Sequence, residues 1–131
     1  MTFIYVGLGG FIGAVGRHTI NLFFLNFFGL SAPFSTMFVN VLGSFAMGGL
    51  FYFTSNNVSD FYKLFFMTGI LGGFTTFSAF SLDSIQMLFN KDFLNFIIYI
   101  SISVSLSVFF LYLGFSFARS FSLWRALIII L

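Results

Sequence analysis

From Phe61 to Phe89 the sequence is long and apolar enough to cross a bilayer, yet its middle reads Gly72-Gly73-Phe74-Thr75-Thr76-Phe77. A glycine inside a helix costs about 1 kcal/mol relative to alanine, and a threonine hydroxyl can turn onto nearby backbone groups. The pattern predicts a spanning helix interrupted at mid-depth. Lipid offers no partner to the peptide groups that an interruption frees, so the break must face protein, water or a bound ion. The demand for function is concentrated at this stretch.

Composition places the whole chain in the same solvent. Of its 131 residues 60% are hydrophobic and 6% are charged, against roughly 25% charged in a soluble domain. So little polar surface cannot cover a soluble core, and the expected class is an all-α integral membrane protein. About 20 helical residues cross a hydrocarbon core of about 30 Å. Four spans, at about 2–27, 34–54, 61–89 and 93–118, nearly exhaust the sequence and leave one transmembrane domain. The absence of cysteine excludes disulfides and thiolate metal sites. A net charge of +2 gives no footprint for nucleic acid. The first apolar segment lacks a basic start and a polar cleavage region, so it is expected to be a span rather than a removed signal.

In the first span Gly9, Gly13 and Arg17 lie four apart on one face. Small residues at that spacing let backbones approach closely in lipid. Arg17 faces a protein partner or a water-filled vestibule, or snorkels to the interface, since a charge within hydrocarbon is costly. His18 beside it has no second histidine or cysteine with which to build a metal site. Pro33 suits the start of the second helix. There Thr36, Asn40 and Gly43 share a face, with Ser44 and Gly48 beside it. A mid-span asparagine serves either helix-to-helix hydrogen bonding or a permeation path. The loop from Ser55 to Asp60 is polar, with Ser59 or Asp60 as helix cap, and Asn90-Lys91-Asp92 mark a turn before the last span. On that helix Tyr99, Ser103 and Ser107 form a file of hydroxyls, which suits packing or a pore wall. Arg119, Trp124 and Arg125 have the character of interfacial anchors.

Four spans put Lys63, Arg119 and Arg125 on one side, against Lys91 and, nearer that side, Arg17. A bias this weak hardly fixes orientation, so insertion in both directions is expected. Four short helices also enclose little space, so oligomerisation is expected.

Several of these stretches together resemble one family, the Fluc fluoride channels, also called CrcB proteins. Gly9-Gly10-Phe11-Ile12-Gly13-Ala14-Val15-Gly16-Arg17 is similar to the family's first-helix signature. Thr36-Met37-Phe38-Val39-Asn40-Val41-Leu42-Gly43-Ser44-Phe45 is similar to its second. Gly69 to Phe80 resembles its broken third helix, G-x-x-G-G-x-T-T-F-S-x-F. The resemblance covers three of four spans in order. Ser35, His18 and Asp83 depart from it: the family commonly has glycine, tyrosine and glutamate there.

The resemblance implies an antiparallel, dual-topology homodimer in the inner cell membrane of a prokaryote, with two narrow fluoride pores. It implies a structural sodium ion at the dimer centre, held by the backbone carbonyls of Gly72 and Thr75 from both copies. It assigns fluoride to the ring edges of Phe77 and Phe80 and the amide of Asn40. A polar track would comprise Thr36, Tyr99, Ser103 and Ser107, with Arg17 and Asp83 at vestibules. The activity implied is passive export that reduces fluoride toxicity, and the chain would not be an enzyme. A proton-coupled exporter, the rival transporter class, needs an acid deep in the membrane, whereas the first span has none and Asp83 lies after the break. Catalysis would need paired carboxylates or clustered histidines, and the chain has three acids and one histidine.

Overall fold

A computed structural model of the chain is all-helical over its described residues, which are 1–30, 32–55 and 59–130, with side chains described through Leu123. Helix α1, Thr2–Phe28, ends at Gly29, whose φ of 61° is the left-handed conformation that glycine adopts without strain. Helix α2, Ala32–Thr54, carries Pro33 in its first turn, where a missing N–H leaves no gap. Ser59 then caps the next helix, accepting from the Phe61 amide at 3.3 Å. Asn56 to Val58 of that polar loop lie outside the described residues.

The next rod, α3, spans 60–74 in three pieces. A short α-helical start, Asp60–Tyr62, passes into a π-helix, Lys63–Leu71, and returns to α at Gly72–Phe74. π-Helix mostly occurs as single-turn bulges, and these nine residues exceed that. Nothing in Lys-Leu-Phe-Phe-Met-Thr-Gly-Ile-Leu signals it. Helix α1 lies against this segment through its glycines. A Cβ on Gly9 would run into the Phe65 carbonyl, and one on Gly13 into the Ile70 carbonyl. Gly73 meets Gly10 in the same way, its virtual Cβ 2.6 Å from the Gly10 carbonyl oxygen. The expected four-residue glycine spacing is therefore a close helix crossing.

The break sits later than the glycines suggest. Gly72 is helical, at φ −65° and ψ −34°. The chain leaves the helix at Thr75 (φ −82°, ψ 154°) and Thr76 (φ −151°, ψ 120°). Gly73 serves the approach of α1, and the threonines carry the interruption. Helix α4, Phe77–Phe89, follows, and the expected turn at Asn90 to Asp92 leads into α5, Phe93–Ile130. Asp92 caps α5 by accepting from the Asn95 amide nitrogens, backbone at 3.4 Å and side chain at 2.8 Å. Its 38 residues span roughly 57 Å at about 1.5 Å each, beyond the hydrocarbon thickness. It outruns 118 because neither glycine nor proline follows Gly114. The side chains of Trp124 and Arg125, read as anchors, lie outside those described.

Helices α2 and α5 press backbone to backbone: Gly48 faces the Leu111 carbonyl and Gly114 the Phe45 carbonyl. Among the described residues three stretches are long and apolar enough to cross a membrane, Ala32–Thr54, the broken pair Asp60–Phe89, and Phe93–Leu123. Helix α1 has the length, with 27 residues, but carries Arg17, His18 and Asn21. The buried apolar core is small, built on Val39, Leu71, Phe80, Tyr99 and Ala118. Large apolar side chains cover the outside, as hydrocarbon solvent permits and water does not.

Candidate functional site

A helix break leaves amides and carbonyls without intrahelical partners. Two of those groups close locally. The Thr75 amide and its hydroxyl both donate to the Leu71 carbonyl, each at 2.9 Å. The Thr76 hydroxyl accepts from the Ala79 amide at 3.2 Å, so Thr76 is the N-cap of α4. A further pair, the Thr76 amide and carbonyl, is closed from α2. The Asn40 Oδ1 accepts from the Thr76 amide at 2.8 Å, and the Asn40 Nδ2 donates to the Thr76 carbonyl at 3.0 Å. Extended backbone turns both groups of Thr76 sideways, so one carboxamide meets both, as a neighbouring strand would. One Nδ2 hydrogen is left over.

Phe77 and Phe80 follow on one face of α4. Their ring centroids are 5.4 Å apart, and Phe80 lies 5.3 Å from Tyr99 of α5. Phe80 is buried, whereas Phe77 is 77% exposed on the single chain. Phe80 lines a cavity of about 440 Å³ between α2, α4 and α5. Asn40, Thr75, Thr76, Phe77, Ser103 and Ser107 also line it. Ser103 is buried and its hydroxyl has no partner among the described residues. A second cavity, of about 360 Å³, is lined by Tyr99, Pro33, Met37, Asp92 and Asn95. The Tyr99 hydroxyl donates to Asp83 Oδ2 at 3.3 Å. Asp83 is 5% exposed and Thr36 3%.

The structure thus gathers Asn40, Phe77, Phe80, Ser103 and Ser107 around one cavity, with Tyr99 adjoining and Thr36 buried one turn before Asn40 on α2. Asp83, expected at a vestibule, is interior to the chain and paired with Tyr99. Arg17 is half-buried on α1 and His18 exposed. Ser35, the departure on α2, is buried and donates to the Ala32 carbonyl at 3.0 Å. Sequence reasoning missed Thr76 and Ser84. Thr76 stands three residues before the amide it caps, a readable N-cap spacing. Ser84 is buried and donates to the Phe80 carbonyl at 2.8 Å, and nothing in the sequence marks it.

Gly72 is exposed on the single chain and Thr75 half-buried, both at the C-terminal end of α3, where the helix dipole is negative. Among the described residues no three His, Cys, Asp or Glu side chains cluster to hold a metal. A hard cation at this place would rely on backbone oxygen, and the residues present fit that donor set.

Residues 4–115 match the family described as CrcB-like protein, Camphor Resistance (CrcB). A fluoride-specific ion channel FluC of Campylobacter jejuni subsp. jejuni serotype O:23/36 (strain 81-176) is 47% identical over 116 residues, covering 87% of this chain and 94% of that protein. The protein of the same name in Shewanella baltica (strain OS155 / ATCC BAA-1091) is 41% identical over 112 residues, 85% of this chain and 90% of its own. That of Rhizobium meliloti (strain 1021) is 40% identical over 119 residues, with coverage of 89% and 95%.

Proposed function

The chain belongs to the CrcB family, and on that premise we propose that it is a fluoride-selective channel of the membrane, not an enzyme. The observation that carries the reading is the cavity beside the break. It brings the Asn40 amide, two phenylalanine rings and the unpartnered Ser103 hydroxyl to one path. Fluoride is small, strongly hydrated and only an acceptor, so a selective path must replace its water with donors. Amide N–H, hydroxyl O–H and the positive edges of aromatic rings supply these without a full positive charge. Phe77 and Phe80 would offer ring edges and Asn40 its spare hydrogen. Ser103 and Ser107 would carry the ion along α5 towards Tyr99 and Thr36. Arg17 would set the field at one approach, while Asp83, inside the chain, would hold the Tyr99 hydroxyl.

The proposed working unit is an antiparallel dual-topology homodimer in the inner membrane of a prokaryote, with α1 as its fourth span. The exposure of Phe77 and Gly72 supports a second copy covering this face. In the pair the Gly72 and Thr75 carbonyls of both copies would hold a structural sodium ion. Bound there, sodium would supply positive charge that offsets the carbonyl dipoles and favours an anion nearby. Flow would be passive, and toxic cytoplasmic fluoride would leave down its gradient. Purified protein in liposomes loaded with fluoride should release it on addition of a potassium ionophore, and release chloride far more slowly. Release no faster than from protein-free liposomes would remove the proposal.

A further inference from the structure

We propose that Asn40 is a positioning residue that holds the break open in the extended form and so aims Phe77. The inference rests on the channel reading above but concerns a different contact, between Asn40 and the chain's own backbone. Three observations carry it. The Asn40 carboxamide uses its oxygen and one amide hydrogen on the two backbone groups of Thr76, at 2.8 and 3.0 Å. Thr76 is extended and buried, so without Asn40 its amide and carbonyl would face hydrocarbon or the cavity unpaired, at a cost that favours rewinding or collapse. The neighbour on one side is Phe77, whose ring lines the cavity, and on the other Thr75, which lines it too.

The chemistry is specific to asparagine. Aspartate would keep an acceptor for the Thr76 amide but turn a second oxygen towards the Thr76 carbonyl, and leucine would offer neither group. Two further contacts show how tightly the join is fixed. Gly43, one turn along α2, packs on the Thr75 methyl, where a Cβ has no room. Thr76 in turn fixes the start of α4 by capping Ala79. Helix α2 therefore sets the break by one side chain and one missing side chain. Phe77 inherits its position from that join.

Two measurements test this. The first is hydrogen–deuterium exchange of full-length protein in liposomes, followed over residues 71–80 in wild type, Asn40→Ala and Asn40→Asp. Loss of the clamp should speed exchange at Thr76 by on the order of tenfold in Asn40→Ala, and much less in Asn40→Asp, which keeps the acceptor. The second is a cycle of fluoride efflux with Asn40→Ala, Phe77→Met and the double variant. A residue acting through Phe77 gives a double variant no slower than the slower single one. A residue that contacts fluoride independently multiplies the two losses, and one that serves folding alone reduces the yield of intact protein instead. Unchanged exchange at Thr76 in Asn40→Ala would overturn the proposal, as would losses that multiply in full, because Asn40 would then act through its spare hydrogen alone and not through Phe77; a double variant faster than that product supports it. Absence of fluoride efflux in wild type would remove the channel reading, while the exchange result still decides the clamp.

Discussion

At the scale of single residues the proposed chemistry rests on Phe77 and Phe80. Their separation in sequence puts them on one face, and the structure brings their rings to one cavity, with Tyr99 behind. Isoleucine keeps the apolarity of phenylalanine but not the ring quadrupole. Phe77→Ile and Phe80→Ile should each slow fluoride efflux by at least about tenfold, roughly 1.4 kcal/mol in barrier, while the protein still purifies intact. Normal efflux in both would leave Asn40 and the hydroxyl file as the whole filter. The buried Asp83 gives a second test. Tyr99→Phe removes the hydroxyl that reaches its carboxylate, stranding a buried polar group at a cost of about 1–3 kcal/mol. Thermal unfolding in detergent should shift downwards accordingly, and Asp83→Asn should be milder because its amide can still pair with the hydroxyl. The file of Tyr99, Ser103 and Ser107 was legible because helical spacing stacks it. The pairing of Tyr99 with Asp83 was not, because no local pattern links residues on different helices.

At the scale of elements the sequence misleads where glycine has two uses. Gly72 and Gly73 read as helix breakers, yet both are helical, and the interruption falls on Thr75 and Thr76. In lipid, where packing rather than the hydrophobic effect joins helices, glycine marks contact more than it marks breakage. That a break exists near this point was legible, because glycines and threonines crowd an otherwise apolar span. Its exact residue depends on Asn40, which comes from another helix. The π-helix was invisible for the same kind of reason: its residues are ordinary helix formers, and its wider winding accompanies the tight seat of α1. The glycines now separate into two classes by space alone. Gly13→Ala pushes a methyl into the Ile70 carbonyl and Gly48→Ala into the Leu111 carbonyl. Each should destabilise by about 1–3 kcal/mol, the usual cost of overpacking. Gly7 has nothing within 4 Å of a virtual Cβ, so Gly7→Ala should be neutral or gain up to about 1 kcal/mol of helix propensity. Unfolding of the three variants in one detergent checks the order, and equal stability of Gly13→Ala and Gly7→Ala would refute the tight crossing of α1 on α3.

For the whole molecule the question is which way the chain enters the membrane. The cues that fix orientation are lysine and arginine in short loops, and this chain has few: Lys63 after the second helix, Lys91 in the Asn90–Asp92 turn, and Arg119 and Arg125 on α5. With α1 as a span, the three on one side outweigh Lys91 on the other by too little to choose, and Arg17 offsets part of that. An unbiased chain yields both orientations, and both are what an antiparallel pair needs. A reporter fused after the last residue should therefore register on both sides of the membrane in one culture. Two or three extra lysines in the Asn90–Asp92 turn should then lock one orientation, since each basic residue near a span adds to the bias. The turn suits the purpose: it is exposed, and its residues take no part in the cavity beside the break. A locked chain alone should lose fluoride efflux, because no copy of opposite orientation is present to complete the pair. Efflux should return when a second chain, locked the other way by lysines near Lys63, is made in the same cell. A wild-type reporter seen on one side only, or full efflux from a single locked chain, would refute the antiparallel pair and require a pore built within one copy or between parallel ones.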